Sequence, residues 1–294
     1  LKDISGISNL DLSNVTDITQ MFMNCKNLIS LPNLNWNIKS VTNMIRMFYG
    51  CSILENISGI SNLDFSNAID LSFMFMNCNN LISLPNLNWN TKNVKNMRGI
   101  FCECSSLKDI SGISNLDLSN VTDIGYMFMD CKNLISLPNL NWNTKNIVNM
   151  SGIFEGCSSL KDISGISKWN TLNVINMDFM FKSCHKLSSI SPISNWNTKK
   201  VENMNYTFAY CKKLSSLSGL ENWNTSNVQN MSSMFIDCIE LSTLSHISNW
   251  NTEKADIESI FDGCNGNLDI PPNFKDYYGE VEEYIEEEDE NNFD

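Results

Sequence analysis

Val41-Thr42-Asn43-Met44-Ile45-Arg46-Met47-Phe48-Tyr49-Gly50-Cys51-Ser52-Ile53-Leu54 is the stretch on which the fold turns. It returns along the chain as V-x-N-M-x-x-M-F-x-x-C-x-x-L, for example as Val228, Met231, Met234, Phe235, Cys238 and Leu241. The Phe recurs ten times, at Phe22, Phe48, Phe75, Phe101, Phe128, Phe154, Phe181, Phe208, Phe235 and Phe261. A Cys stands three residues after each Phe, from Cys25 to Cys264, with 26 or 27 residues between successive copies. Self-similarity at such a period signals a solenoid, in which each copy buries its apolar face only against its neighbours.

Within a copy, Val15, Ile18, Met21, Phe22 and Cys25 fall at i, i+3, i+6, i+7 and i+10. That spacing predicts one face of a helix of about three turns, from the Val to the Cys of every repeat. Asn or Ser usually precedes the Val (Asn14, Ser40, Asn67, Asn93) and reads as its N-cap, with the Thr of W-N-T as rival. After the Cys comes Leu-x-x-Leu/Ile, as in Leu28 and Leu31 or Leu107 and Ile110. This segment reads as a very short strand pairing in parallel with its neighbours, at ~4.8 Å per coil. Pro32 or Ser111-Gly112 then marks a bend, and the Gly version, one residue longer, accounts for the 26/27 alternation. The fold expected is an α/β, leucine-rich-repeat-like solenoid with one short helix and one very short parallel strand per repeat.

Ten cysteines at one register position read as small core residues, since a free Cys behaves as a buried hydrophobe. A metal column is disfavoured, because no His or second Cys closes a tetrahedral site. Cys102 falls outside this register and is expected to be exposed. Trp36, Trp89, Trp142, Trp169, Trp196, Trp223 and Trp250 share a column with Leu10, Leu63 and Leu116. Leu replaces Trp in a core and not on a sugar platform, so the column reads as core. The Asn after Trp, as in Asn37 or Asn197, is expected to bond loop backbone and the next Asn of the stack.

The net charge of −13 resolves into two parts. Residues 276–294 carry ten carboxylates and no Lys or Arg, while the remainder carries 20 basic and 23 acidic side chains. A near-neutral body offers no basic stripe for phosphates, so nucleic acid is not the expected ligand. No apolar run approaches the ~20 residues that span a bilayer. The chain opens on Leu1, part-way through a repeat and without Met, and is expected to be a fragment or processed form. Residues 1–275 read as one solenoid of about ten coils, closed by an atypical last copy and Pro271-Pro272. Residues 276–294 read as an acidic tail, partly disordered or forming a short cap.

The W-N-T-x-x-V-x-N-M-x-x-M-F-x-x-C-x-x-L pattern, as in Trp223-Asn224-Thr225 through Leu241, resembles the repeat of BspA-like leucine-rich-repeat surface proteins. That resemblance implies a leucine-rich solenoid with roles in adhesion or host-protein binding, and it carries over no catalytic residues. The function expected is a non-enzymatic interaction or adhesion module with a protein partner, such as a host surface or matrix protein. It is expected to act as a monomer, without cofactor or metal, at the cell surface or outside the cell. An intracellular scaffold of a virus or protist is the alternative, favoured if every cysteine is reduced. Contacts are expected at variable positions beside the strand, namely Glu55, Lys108, Asp109, Lys161 and Asp162. Only two histidines occur, His185 and His246, 61 residues apart and without the partners of a catalytic set. Residues 1–37 and 107–143 differ only at Thr19/Gly125, Gln20/Tyr126 and Asn24/Asp130. Such copying suits a repetitive surface better than one sculpted pocket.

Overall fold

The computed structural model describes residues 2–277 as a stack of ten coils, numbered here by their Phe from coil 1 (Phe22) to coil 10 (Phe261). One core runs without interruption from Ile4 to Phe274. The acidic segment, beyond Tyr277, lies outside the described residues.

The ten Phe rings form a single file along the axis. Successive centroids lie 5.3–6.0 Å apart with interplanar angles of 4–16°. The seven Trp side chains lie beside this file, buried, and each indole N–H donates to a backbone carbonyl of the preceding coil at 2.6–3.4 Å. The thiols complete the column. From Cys51 to Cys264, each donates to the Phe carbonyl of the coil before it, at 3.0–3.4 Å.

The helix expected from Val to Cys is not formed. In coil 1 the N–H groups of Ile18, Gln20, Phe22 and Asn24 donate to Asn43, Ile45, Met47 and Tyr49 of the next coil, at 2.7–3.0 Å. Those of Met21, Met23 and Cys25 close three-residue turns onto Ile18, Gln20 and Phe22. Two residues per coil, two before and two after the Phe, take a left-handed backbone, as Gln20 (φ 57°) and Asn24 (φ 59°) do. Among the described residues, all those with positive φ except Gly219 occupy these two positions. A left-handed residue breaks an α-helix, and an isolated helix of three turns is marginal in water. Stacked copies offer every second N–H a partner in the next coil, and that pairing wins.

Strand pairing is also displaced. The continuous parallel ladder runs through the Val-x-Asn segment, from Asp17↔Asn43 to Asn230↔Asp256. The Leu-x-x-Leu segment expected to be the strand pairs only within coil doublets, at Ser30↔Asn56, Ser83↔Asp109 and Ser136↔Asp162. Among the described residues, regular helix is confined to short 3-10 turns such as Ser58–Ile60, Ser111–Ile113 and Ser164–Ile166. The bend residues interlock. A Cβ on Gly112 would stand 2.1 Å from the Pro85 carbonyl oxygen, and one on Gly59 2.0 Å from that of Pro32. Gly-type and Pro-type coils alternate because each Gly seats on the Pro of the coil before.

The expected caps serve other purposes. The Asn before Val reaches back a coil, as Asn93 Nδ2 does to the Ser66 carbonyl at 2.6 Å. The Asn after Trp accepts from the backbone two residues on, as Asn197 does from Lys199. The coil-to-coil link beside it belongs instead to the buried Thr. Thr171 Oγ1 donates to the Asn197 carbonyl at 3.0 Å and accepts its N–H at 2.8 Å. At the far end, Phe274 stands edge-on to Phe261 at 5.3 Å and closes the file within the 3-10 turn Pro272–Tyr277.

Candidate functional site

The residue after the first Leu of each Leu-x-x-Leu segment forms a column on the surface. Through the first six coils it reads Ile29, Glu55, Ile82, Lys108, Ile135, Lys161. Within each doublet the backbone pairs directly, with the Glu55, Lys108 and Lys161 N–H groups donating to Ile29, Ile82 and Ile135 at 2.8 Å. The three isoleucines are 46, 52 and 53% exposed, among the most exposed large apolar side chains described. Glu55, Lys108 and Lys161 are exposed and form no ion pair among the described residues. The column is therefore a strip in which an apolar knob alternates with a free charge. The isoleucines repeat every second coil, about 11 Å apart from the stacking distance of the Phe file. Apolar anchors ringed by charge are what a protein interface uses.

Asp109 and Asp162 share this edge but are engaged locally. Each accepts the N–H of the Ser two residues on, at 2.8 Å, and so holds the adjoining 3-10 turn. The sequence-selected set thus divides into three free charges and two turn-forming carboxylates. The isoleucines give no contrast in the sequence because they are identical between copies, whereas the charges vary. Ile82 and Ile135 carry a signal nonetheless, since a β-branched apolar residue beside a Leu knob has no place left in the core.

The buried cysteines are held as unreactive thiols. Ten thiols repeat at one position, and burial pushes Cys51 and Cys211 up to about 12 and Cys78, Cys131, Cys184 and Cys238 well above the ordinary thiol range. A protonated thiol is a poor nucleophile and metal ligand. Cys102, expected to be exposed, is only 2% exposed. The Phe73 ring lies across Gly99, within 2.5 Å of where a Cβ would stand, and Cys102 packs into that same corner. All eleven cysteines are free. Among the described residues no group of three or more His, Cys, Asp and Glu is arranged to hold a metal ion. His185 is exposed, and His246 Nε2 lies 3.8 Å from Glu221. Among the described residues no helix is long and apolar enough to cross a membrane.

A family model described as Mycoplasma protein of unknown function, DUF285, matches residues 2–109, 82–190, 136–220 and 160–271. None of the curated proteins compared with the chain matches it. Among solved structures, a leucine-rich repeat protein of T. pallidum is similar at 22% identity over 60% of this chain and 73% of that one, with a TM-score of 0.38. One from Eubacterium ventriosum is similar at 17% identity over 90% of this chain and 68% of that one, with a TM-score of 0.44. A leucine-rich cell surface protein of Faecalibacterium prausnitzii is similar at 18% identity over 78% and 76%, with a TM-score of 0.32.

Proposed function

The chain belongs to the DUF285 family, and we propose that it works as a non-enzymatic protein-interaction or adhesion module of the BspA-like kind. The observation that carries this reading is the strip of Ile29, Ile82 and Ile135 alternating with Glu55, Lys108 and Lys161. Large apolar side chains half in water, repeated at a fixed interval beside unpaired charges, have no role in holding the coils together. They suit an extended partner that gains a small amount at each step. Asp109 and Asp162 act on this edge through the turns they hold rather than by direct contact. The partner is a protein, such as one of a host surface or matrix. The module acts as a monomer at the cell surface or outside the cell. The thiol column supports a second reading, an intracellular scaffold, because nine reduced cysteines serve as donors in the core.

The immobilised chain, incubated with host-cell surface extract, is expected to retain a discrete partner. Removal of coil doublets is expected to weaken that retention stepwise, since each doublet carries one Ile. Complete loss on changing a single residue would contradict a distributed strip. Protease treatment of intact cells decides between the compartments. Cleavage of the chain is expected for the surface reading, and full protection supports the scaffold.

A further inference from the structure

A second face carries its own pattern, on the corner formed by the residues just before and just after the Val of each repeat. In coils 7 to 10 this corner holds a shallow groove lined by Ile175, Lys200, Glu202, Asn227, Gln229 and Lys254. Ile175 is 39% exposed at its floor. Lys200 donates to Asn173 Oδ1 at 2.7 Å, and among the described residues neither it nor Lys254 pairs with a carboxylate. Lys199, exposed, flanks the same edge. The groove thus offers an apolar floor and a surplus of cations over its one lining carboxylate, Glu202. The same constellation stands four coils earlier, where Lys39 and Lys95 flank the exposed Ile69.

The described chain leaves the solenoid beside this groove. Thr252 Oγ1, two residues from Lys254, donates to the Asn273 carbonyl, and the backbone continues through the turn Pro272–Tyr277. Beyond that turn the sequence reads Tyr278-Gly279-Glu280-Val281-Glu282-Glu283-Tyr284-Ile285 and then a run of carboxylates, with nine acidic residues from 278 to 294 and no Lys or Arg. Acidic residues interspersed with Val281, Tyr284 and Ile285 complement a groove of lysines around an isoleucine. The reach suffices as well. From coil 7 to coil 10 the Phe file advances about 17 Å, which ~5 extended residues cover at ~3.3 Å each. We propose that residues 278–294 of the same chain occupy the Ile175–Lys200–Lys254 groove, with glutamates on the lysines and an apolar side chain against Ile175. This contact is separate from the isoleucine strip proposed as the partner surface and does not depend on it.

Carbodiimide joins a lysine amine to a carboxylate only where the two already touch, so it reads the contact directly in the full chain. An equal mixture of 15N-labelled and unlabelled protein is treated at low ionic strength and its linked peptides are mapped by mass spectrometry. Lys199, Lys200 or Lys254 is expected to join carboxylates between Glu280 and Glu290, in peptides of unmixed label. Their yield is expected to fall several-fold at 0.5 M salt, as exposed charges are screened. It is expected to fall similarly in the Ile175→Asp variant, which keeps all three lysine amines and puts a carboxylate on the groove floor, and an unchanged melting temperature shows that this half-exposed substitution leaves the coils intact. Linkage spread evenly to lysines of other faces, such as Lys108 or Lys212, would overturn the proposal. So would mixed-label peptides as abundant as unmixed ones, the ratio an equal mixture gives for linkage between chains, which identifies a second copy as the occupant, or no linkage at all.

Discussion

The Cys157 thiol donates to the Phe128 carbonyl one coil earlier, at 3.1 Å, while that carbonyl also accepts the Cys131 N–H of its own coil. Cysteine here supplies a donor that fits where a hydroxyl or methyl would not serve equally, and the link recurs at every coil junction from Cys51 to Cys264. The consequence is a dependence on pH. Burial raises the thiols, Cys51 and Cys211 to about 12, against an unfolded value of about 8.5. The folded state therefore holds these protons more tightly than the unfolded one. Stability is full below about pH 8.5 and declines as pH rises toward the folded values, by up to ~1.4 kcal/mol per pH unit for each thiol. Urea midpoints are expected to be level between pH 6 and 8 and to fall steeply by pH 10. A level profile through pH 10 would remove the thiols from the core.

Gly112 and Gly6 occupy equivalent places in their turns but meet different surroundings. A Cβ at Gly112 would sit 2.1 Å from the Pro85 carbonyl oxygen, whereas nothing lies within 4 Å of one at Gly6. Gly112→Ala is expected to cost about 1–3 kcal/mol through overpacking. Gly6→Ala, exposed and unobstructed, is expected to stay within about 0.5 kcal/mol of the parent. Chemical denaturation of the two variants distinguishes the Gly-on-Pro seat from a general turn preference, which would affect both alike.

Thr171 bridges two coils with one oxygen, donating to the Asn197 carbonyl and accepting its N–H. It is 2% exposed, so water cannot take its place. Thr171→Val keeps the shape and strands both backbone groups, at an expected cost of about 1–3 kcal/mol. Thr171→Ser restores the oxygen and is expected to recover most of that loss in the same denaturation assay. Equal stability of the two variants would show that the methyl, not the hydroxyl, is what the site requires.

The period, the invariant Phe and the Cys three residues later were enough to read the stack and its core. The elements within a coil were not legible, for a physical reason. Val15, Ile18, Met21, Phe22 and Cys25 share a face in an α-helix, but a succession of three-residue turns with left-handed joints also buries residues three apart. The joint before the Phe gave little sign, since Gln20, Arg46, Tyr126 and Tyr206 are unusual left-handed residues and only Gly99 and Gly152 share their register, whereas the joint after it did, with Gly50, Gly156 and Gly263 among Asn24, Asn77, Asp130 and Asp237. Asn93 looks like a cap because its amide does serve orphan backbone, only that of the coil before. The surface was half legible. Lys108 and Lys161 stood out as variable, but the isoleucines between them were hidden by their own repetition. Cys102 lies buried through its neighbours Phe73 and Gly99, a pairing that only the stack brings together.

Ile29, Ile82 and Ile135 provide the sharpest separation of function from stability. They are about half exposed, and the column they share is not part of the core. The triple change Ile29→Ser/Ile82→Ser/Ile135→Ser is therefore expected to move stability by no more than about 0.5 kcal/mol per site. Binding should respond differently, because apolar anchors carry a disproportionate share of interface energy, about 2 kcal/mol or more where they are buried by a partner. Partner retention measured by surface plasmon resonance is expected to fall at least tenfold in the triple variant, chiefly through faster dissociation. Lys108→Glu/Lys161→Glu is expected to act on the rate of association instead, and its effect should shrink with added salt. Asp109→Ala is the internal contrast. It removes the turn bond to Ser111 and is expected to lower stability by about 1 kcal/mol while leaving the isoleucine contacts in place. Full retention by the triple variant, with its fold intact, would move the partner surface off this strip.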